Sequence, residues 1–161
     1  MKNYFALMWF LLFLGSFLLP EKSHAQLKIY QFEQIDSLQR VEKRNILVFI
    51  HTDWCKYCKA MRDKTFKNEE VVKLINEKFY FVDFNAEEQR KIIFNGATFN
   101  FKPSGNNAGV HELAIELGTI NKQINYPTLC VLNEKNEIIF QHSSFLKTKE
   151  LSKILGKLQN N

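Results

Sequence analysis

Two cysteines three positions apart, in Trp54-Cys55-Lys56-Tyr57-Cys58, sit where an apolar run gives way to a helix-forming stretch. The run, Ile46-Leu47-Val48-Phe49-Ile50, has the pattern of a strand buried on both faces. The stretch from Lys59 to Phe66 has the composition of a helix. A helix starting here turns its partial positive end toward the first sulfur and favours the thiolate, the species that attacks disulfides. Lys56 and Lys59 add positive charge nearby. Two thiols about one turn apart can close a small disulfide ring and reopen it. A structural disulfide or half a zinc site would use the same spacing. Zinc usually takes four ligands, however, and no second Cys-x-x-Cys or Cys/His pair is present. The flanks therefore favour redox chemistry, with Cys55 attacking from an exposed position at the helix tip and Cys58 resolving.

Lys2 precedes an almost unbroken apolar run from Phe5 to Leu19, followed by Pro20 and a polar segment ending Ser23-His24-Ala25. That order reads as a secretory signal over residues 1–25, cleaved after Ala25 to leave a single domain over 26–161. The run is short of the ~20 apolar residues a membrane span needs. An uncleaved anchor is the alternative. No cysteine closely follows the run, which argues against a lipoprotein anchor. The expected location is periplasmic or extracellular, with no stable membrane anchor after cleavage. The net charge is +5 with lysines and acids interspersed, and no basic stripe points to nucleic acid. Three cysteines leave one pair and a remainder, not a disulfide scaffold.

Apolar positions at Phe32, Ile35, Leu38 and Val41 predict a helix within Ile29–Arg44. Asn68 reads as a helix cap, with Glu69 and Glu70 in the first turn and Val71, Leu74 and Ile75 on one face. Phe79–Phe84 reads as a second buried strand. The glycines, asparagines and Pro103 of 95–109 suggest an irregular insertion. Val110, Leu113, Ala114 and Leu117 resume a helical pattern. Thr128–Leu132 and Glu137–Gln141 flank a turn and imply an antiparallel hairpin. Leu151, Ile154, Leu155 and Leu158 form a last amphipathic helix.

This order, with W-C-x-x-C after the first core strand and Tyr126-Pro127-Thr128 before the hairpin, resembles the thioredoxin family from about Phe32 to Leu158. Thr52 to Lys59 is similar to the T-D-W-C-x-x-C-K pattern of an exported thioredoxin-like group. Thr65 to Val71, Leu74 to Phe79, and Leu113-Ala114 through Tyr126-Pro127-Thr128 match that group too. The resemblance implies an α/β thioredoxin fold, a central mixed sheet flanked by helices. It also implies a thiol:disulfide oxidoreductase that needs no bound cofactor or metal and acts as a monomer. Its partners would be protein thiols and disulfides and an upstream electron donor. The absence of the histidine seen in strong oxidases of this fold favours a reductase. Alternatives are a non-catalytic binding module, or a dedicated assembly factor for haem- or metal-site cysteines. Tyr126-Pro127 matches the family's cis X-Pro, which with Trp54 would contact the substrate.

The family pattern is broken at one place. Its buried aspartate, the proton acceptor for the second thiol, is replaced by Phe49, and its buried lysine falls on Asp83. Asp83 is then a carboxylate without a lysine partner and a candidate displaced proton acceptor. His51 is placed to tune the pair electrostatically. Cys130 reads as a small buried residue. His111 and His142 carry no signal.

Overall fold

A computed structural model describes residues 25–105 and 108–158. Residues 1–24, nearly all of the expected leader, lie outside the described residues, as do 106–107 within the expected insertion. Four strands form the central sheet: β1 (Asn45–His51), β2 (Phe79–Asn85), β9 (Thr128–Leu132) and β10 (Ile138–His142). Their order is β10-β9-β1-β2. β1 runs parallel to β2 and antiparallel to β9, which pairs antiparallel with β10. A parallel pair needs a crossover. It is supplied by α2 (Lys56–Asp63), a 3-10 turn (Thr65–Lys67) and α3 (Glu69–Lys78). The expected mixed sheet flanked by helices is what forms.

Side chains alternate along a strand, so β1 feeds two cores. Ile46, Val48 and Ile50 join Tyr80, Val82 and Phe84 in one, packed with Phe32 and Ile35 of α1 (Phe32–Val41) and Leu113 of α4 (Glu112–Gly118). Leu47 and Phe49 join Phe79 and Phe81 in the other, with Met61 of α2, Val71 of α3 and Leu151 of α5 (Thr148–Leu158). Both faces are covered, which is why these strands read as continuous apolar runs. Asn68 caps α3 as expected, accepting from the N–H groups of Glu70 and Val71 at 3.1 and 3.3 Å.

One residue of the expected α1 seam is misplaced. Val41 is 88% exposed, whereas Gln39 is buried. α1 ends at Val41 and Glu42 is extended, so the last apolar position turns outward. Gln39 instead fastens the chain leaving the helix: Nε2 donates to the Arg44 carbonyl at 2.7 Å, and Oε1 accepts from the Arg44 N–H at 3.1 Å. Those bonds supply partners for two backbone groups of the connection.

The stretch expected to be irregular is built of hairpins. β3 (Ile92–Phe94) and β4 (Ala97–Phe99) join through Asn95-Gly96, whose φ values are +50° and +73°. That is the two-residue turn Asn-Gly favours. β5 (Phe101–Gly105) pairs with β6 (Ala108–His111). A Cβ on Gly109 would lie 2.4 Å from the Lys102 carbonyl oxygen, so only glycine fits there. Ile92 and Phe94 enter the first core, which anchors the segment to the domain. β7 (Thr119–Ile120) and β8 (Gln123–Ile124) form another small hairpin around Asn121-Lys122, both at positive φ.

Val110, expected in a helix, belongs to β6, and α4 starts at Glu112 with His111 as its cap. His111 is fully buried. Its Nδ1 accepts from the Leu113 N–H at 3.1 Å, and Nε2 lies 3.1 Å from the Arg90 carbonyl. Both bonds form with a neutral ring protonated at Nε2. Burial holds its pKa below the usual histidine value. The unfolded chain thus takes up this proton before the native one does, so stability is full above the unfolded value of about 6.5 and declines as pH falls through it. The urea midpoint should drop between pH 7.5 and pH 5.5, and His111→Asn should flatten that dependence. A parent midpoint constant across this window would refute the assignment.

Candidate active site

Cys55 caps the N-terminus of α2, and Cys58 lies in its first turn. The two are joined as a disulfide with Cα atoms 5.2 Å apart. The Cys58 N–H donates to Cys55 Sγ at 3.1 Å, so the first sulfur sits where helix dipole and backbone donor both stabilise a thiolate. Cys55 was expected to be exposed, but in the disulfide it is only 7% exposed, against 1% for Cys58. The reason is packing: both cysteines belong to the second core. Lys59 pairs with Asp63 on the same helix, which offsets part of its field.

The rim is aromatic. Trp54 and Tyr57 are each 67% exposed on either side of Cys55. Trp54 meets Tyr126 edge to face at 6.0 Å, and Tyr57 lies 6.4 Å from Phe145. The Tyr126-Pro127 peptide bond is cis. The Trp54 indole N–H donates to Glu87 Oε1 at 2.9 Å. Burial, with the nearby Glu87 charge, pushes the Tyr126 phenol up to about 12. Sequence reasoning missed Glu87, because it reaches Trp54 from the far end of β2.

Phe49 and Asp83 are register partners on neighbouring strands. Among the described residues no lysine pairs with Asp83, but a histidine and an arginine do. Asp83 Oδ1 lies 3.0 Å from His51 Nε2 and Oδ2 3.5 Å from Arg62 Nε. Arg62, one turn beyond Cys58 on α2, places Nη2 2.5 Å from His51 Nδ1. His51 stacks on Phe49 with ring centroids 5.6 Å apart. An arginine from the cysteine helix therefore faces the carboxylate that stands at the family's lysine position. The Asp83 side chain is 23% exposed, between the buried and solvent-facing alternatives.

The sequence profile of the thioredoxin-like domain matches residues 31–159. The chain belongs to the thioredoxin-like domain family. Solved structures align over most of its length. The DsbH oxidoreductase is 18% identical over 89% of this chain and 94% of its own, with a TM-score of 0.58. A thioredoxin from Thermus thermophilus is 18% identical over 83% and 87%, also with a TM-score of 0.58. A disulphide isomerase from Xylella fastidiosa Temecula1 is 17% identical over 88% and 98%, with a TM-score of 0.53. At such identities the likeness speaks to fold. No curated protein sequence matches significantly. The Cys55–Cys58 disulfide at the start of α2 makes this thioredoxin-like domain a thiol:disulfide oxidoreductase. Among the described residues, no helix is long and apolar enough to cross a membrane.

In this thioredoxin-like domain the third cysteine lies apart from the pair. Cys130 is fully buried in the first core, on the sheet face opposite the disulfide, and burial pushes its thiol up to about 12. Cys130→Ala should keep full disulfide turnover and lose about 1 kcal/mol of stability, measurable by urea unfolding. Loss of turnover in a folded Cys130→Ala protein would point to a relay of three thiols.

Proposed function

We propose that this thioredoxin-like domain is an exported protein-disulfide reductase, acting after removal of residues 1–25. The observation that carries the reading is the disulfide at the N-terminus of α2, with the Cys58 N–H on Cys55 Sγ. In the reduced protein the Cys55 thiolate attacks one sulfur of a substrate disulfide. The other substrate sulfur leaves as a thiolate and takes a proton. Cys58, deprotonated, then attacks Cys55 Sγ, which expels the second substrate thiol and closes the Cys55–Cys58 bond. Two electrons have passed to the substrate, and a donor dithiol restores the pair. We assign Trp54 and Tyr126, which meet edge to face, and the cis bond before Pro127 to the part of the site that receives the substrate chain. The leader-like N-terminus supports export.

Turnover in insulin reduction with a dithiol donor tests this, since a binding module would give none above background. Direction is read from the reduction potential of the pair. A value near the thioredoxin potential of about −270 mV supports a reductase, and one near the roughly −120 mV of a strong oxidant opposes it.

Asp83 is the acid we assign to the resolving step, in place of the residue lost to Phe49. It takes the Cys58 proton as that thiol attacks and afterwards releases it to water. General-base assistance is worth roughly 100-fold at its lower end. Asp83→Asn should slow resolution of the mixed disulfide by that order near neutral pH and change the pH profile. Resolution as fast as the parent's across neutral pH removes Asp83 from the mechanism.

A further inference from the structure

We propose that the site selects protein disulfides with a lysine or arginine beside the reactive cysteine, and that Asp53 and Glu87 are the residues that select them. The inference rests on the assignment of Trp54 to the part of the site that receives the substrate. Trp54 stands between two carboxylates. Asp53 precedes it in the chain and is exposed, whereas Glu87 is partly exposed and accepts its indole N–H at 2.9 Å. Trp54 itself is 67% exposed, so a substrate segment lying on the indole comes beside both acids. One amide holds the pair in place. Asn85, the last residue of β2, donates from Nδ2 to Asp53 Oδ2 at 3.2 Å, and its Oδ1 accepts from the Glu87 N–H at 2.9 Å.

The donors on these carboxylates, the Asn85 amide and the Trp54 indole, are both neutral, so each acid keeps its charge. A carboxylate accepts several hydrogen bonds, and the indole occupies only one oxygen of Glu87. Among the described residues neither acid forms an ion pair. The charge of Glu87 is also felt at Tyr126, where it adds to burial in raising the phenol. The cations of the site lie on the helix side of Cys55: Lys56 opens α2, and Lys59 is paired with Asp63. The site is therefore acidic beside Trp54 and basic at the start of α2, on a chain whose net charge is +5. Net charge alone would favour an acidic substrate. The two carboxylates favour a basic one at contact, where charges are least screened.

The test is the second-order rate at which peptides oxidise the reduced protein. The peptides share one intramolecular disulfide and carry lysine, glutamine or glutamate beside the cysteines. At an ionic strength of about 0.01 M the lysine peptide should react about fivefold faster than the glutamine peptide, the upper worth of an exposed ion pair. The gap should close toward about 1 M salt. Glu87→Gln keeps an oxygen for the Trp54 indole but removes the charge, and should cut the lysine-to-glutamine ratio by about half or more. Adding Asp53→Asn should bring it to about one or below. The ratio is taken within each variant, so a general loss of rate cancels. Should the double variant not fold, Glu87→Gln and the order on the parent decide. A parent that prefers the glutamate peptide, or a lysine preference that survives both substitutions, would overturn the proposal. Failure of all the peptides to react would overturn the reductase reading and the proposal with it.

Discussion

Replacing Cys55 with serine is expected to abolish disulfide reduction, and replacing Cys58 is expected to arrest it halfway. Loss of an attacking nucleophile costs on the order of 10³-fold or more in rate. Serine keeps the size of Cys55 but supplies no thiolate at the α2 N-terminus. Cys58→Ser leaves the attack intact and removes the thiol that would expel the product. Mixed disulfides with partner proteins should therefore accumulate on Cys55, and mass spectrometry should identify them. The partners caught this way separate a general reductase from a factor devoted to a few metal-site or haem-site cysteines. At limiting alkylating reagent the reduced protein should label first at Cys55, the more exposed of the two residues in the disulfide form. Preferential labelling of Cys58 or Cys130 would reverse the roles.

Phe49→Asp, which puts the family's acid back in its usual strand position, is expected to unfold the protein rather than speed it. Phe49 is fully buried and packs on Phe66 and His51. Removing a buried ring costs about 3–5 kcal/mol. A carboxylate there would also be desolvated beside Asp83, its register partner. Against a total stability of about 5–15 kcal/mol, little would remain. The cooperative urea transition should vanish or lose more than half its midpoint, whereas Phe49→Leu should cost about 1–2 kcal/mol. A Phe49→Asp protein with the parent's midpoint and faster exchange would mean that the acid's place is still open.

The features legible in the sequence were those set by short-range patterns. The buried runs Ile46–Ile50 and Phe79–Phe84, the Asn68 cap and the Cys55–Cys58 spacing each follow from neighbours a few residues apart, and each appears in the structure. Val41 was misjudged because helical spacing does not say where a helix stops: α1 ends at Val41, which is exposed. The Asn95-Gly96 turn was legible but was outweighed by the other glycines and asparagines around it. The partners of the site were not legible at all. Glu87 meets Trp54 across 33 positions, and Arg62 on α2 meets Asp83 on β2, far apart in sequence. His111 carries no chemical signal until Arg90 and Leu113 close around it.

Among the described residues, the outer edge of β2 is guarded by very little: a bridge between Ile29 and Phe81 and a bond from the Tyr30 N–H to the Phe81 carbonyl. An uncovered edge next to apolar strands is a template on which other chains can pair. The guard begins four residues after Ala25. If the chain is cut after Ala25, as we propose, the guard stays whole, whereas a cut past Tyr30 would remove it. The position of such a cut would then decide the colloidal fate of the protein, whether it stays dispersed or stacks strand on strand with its own copies.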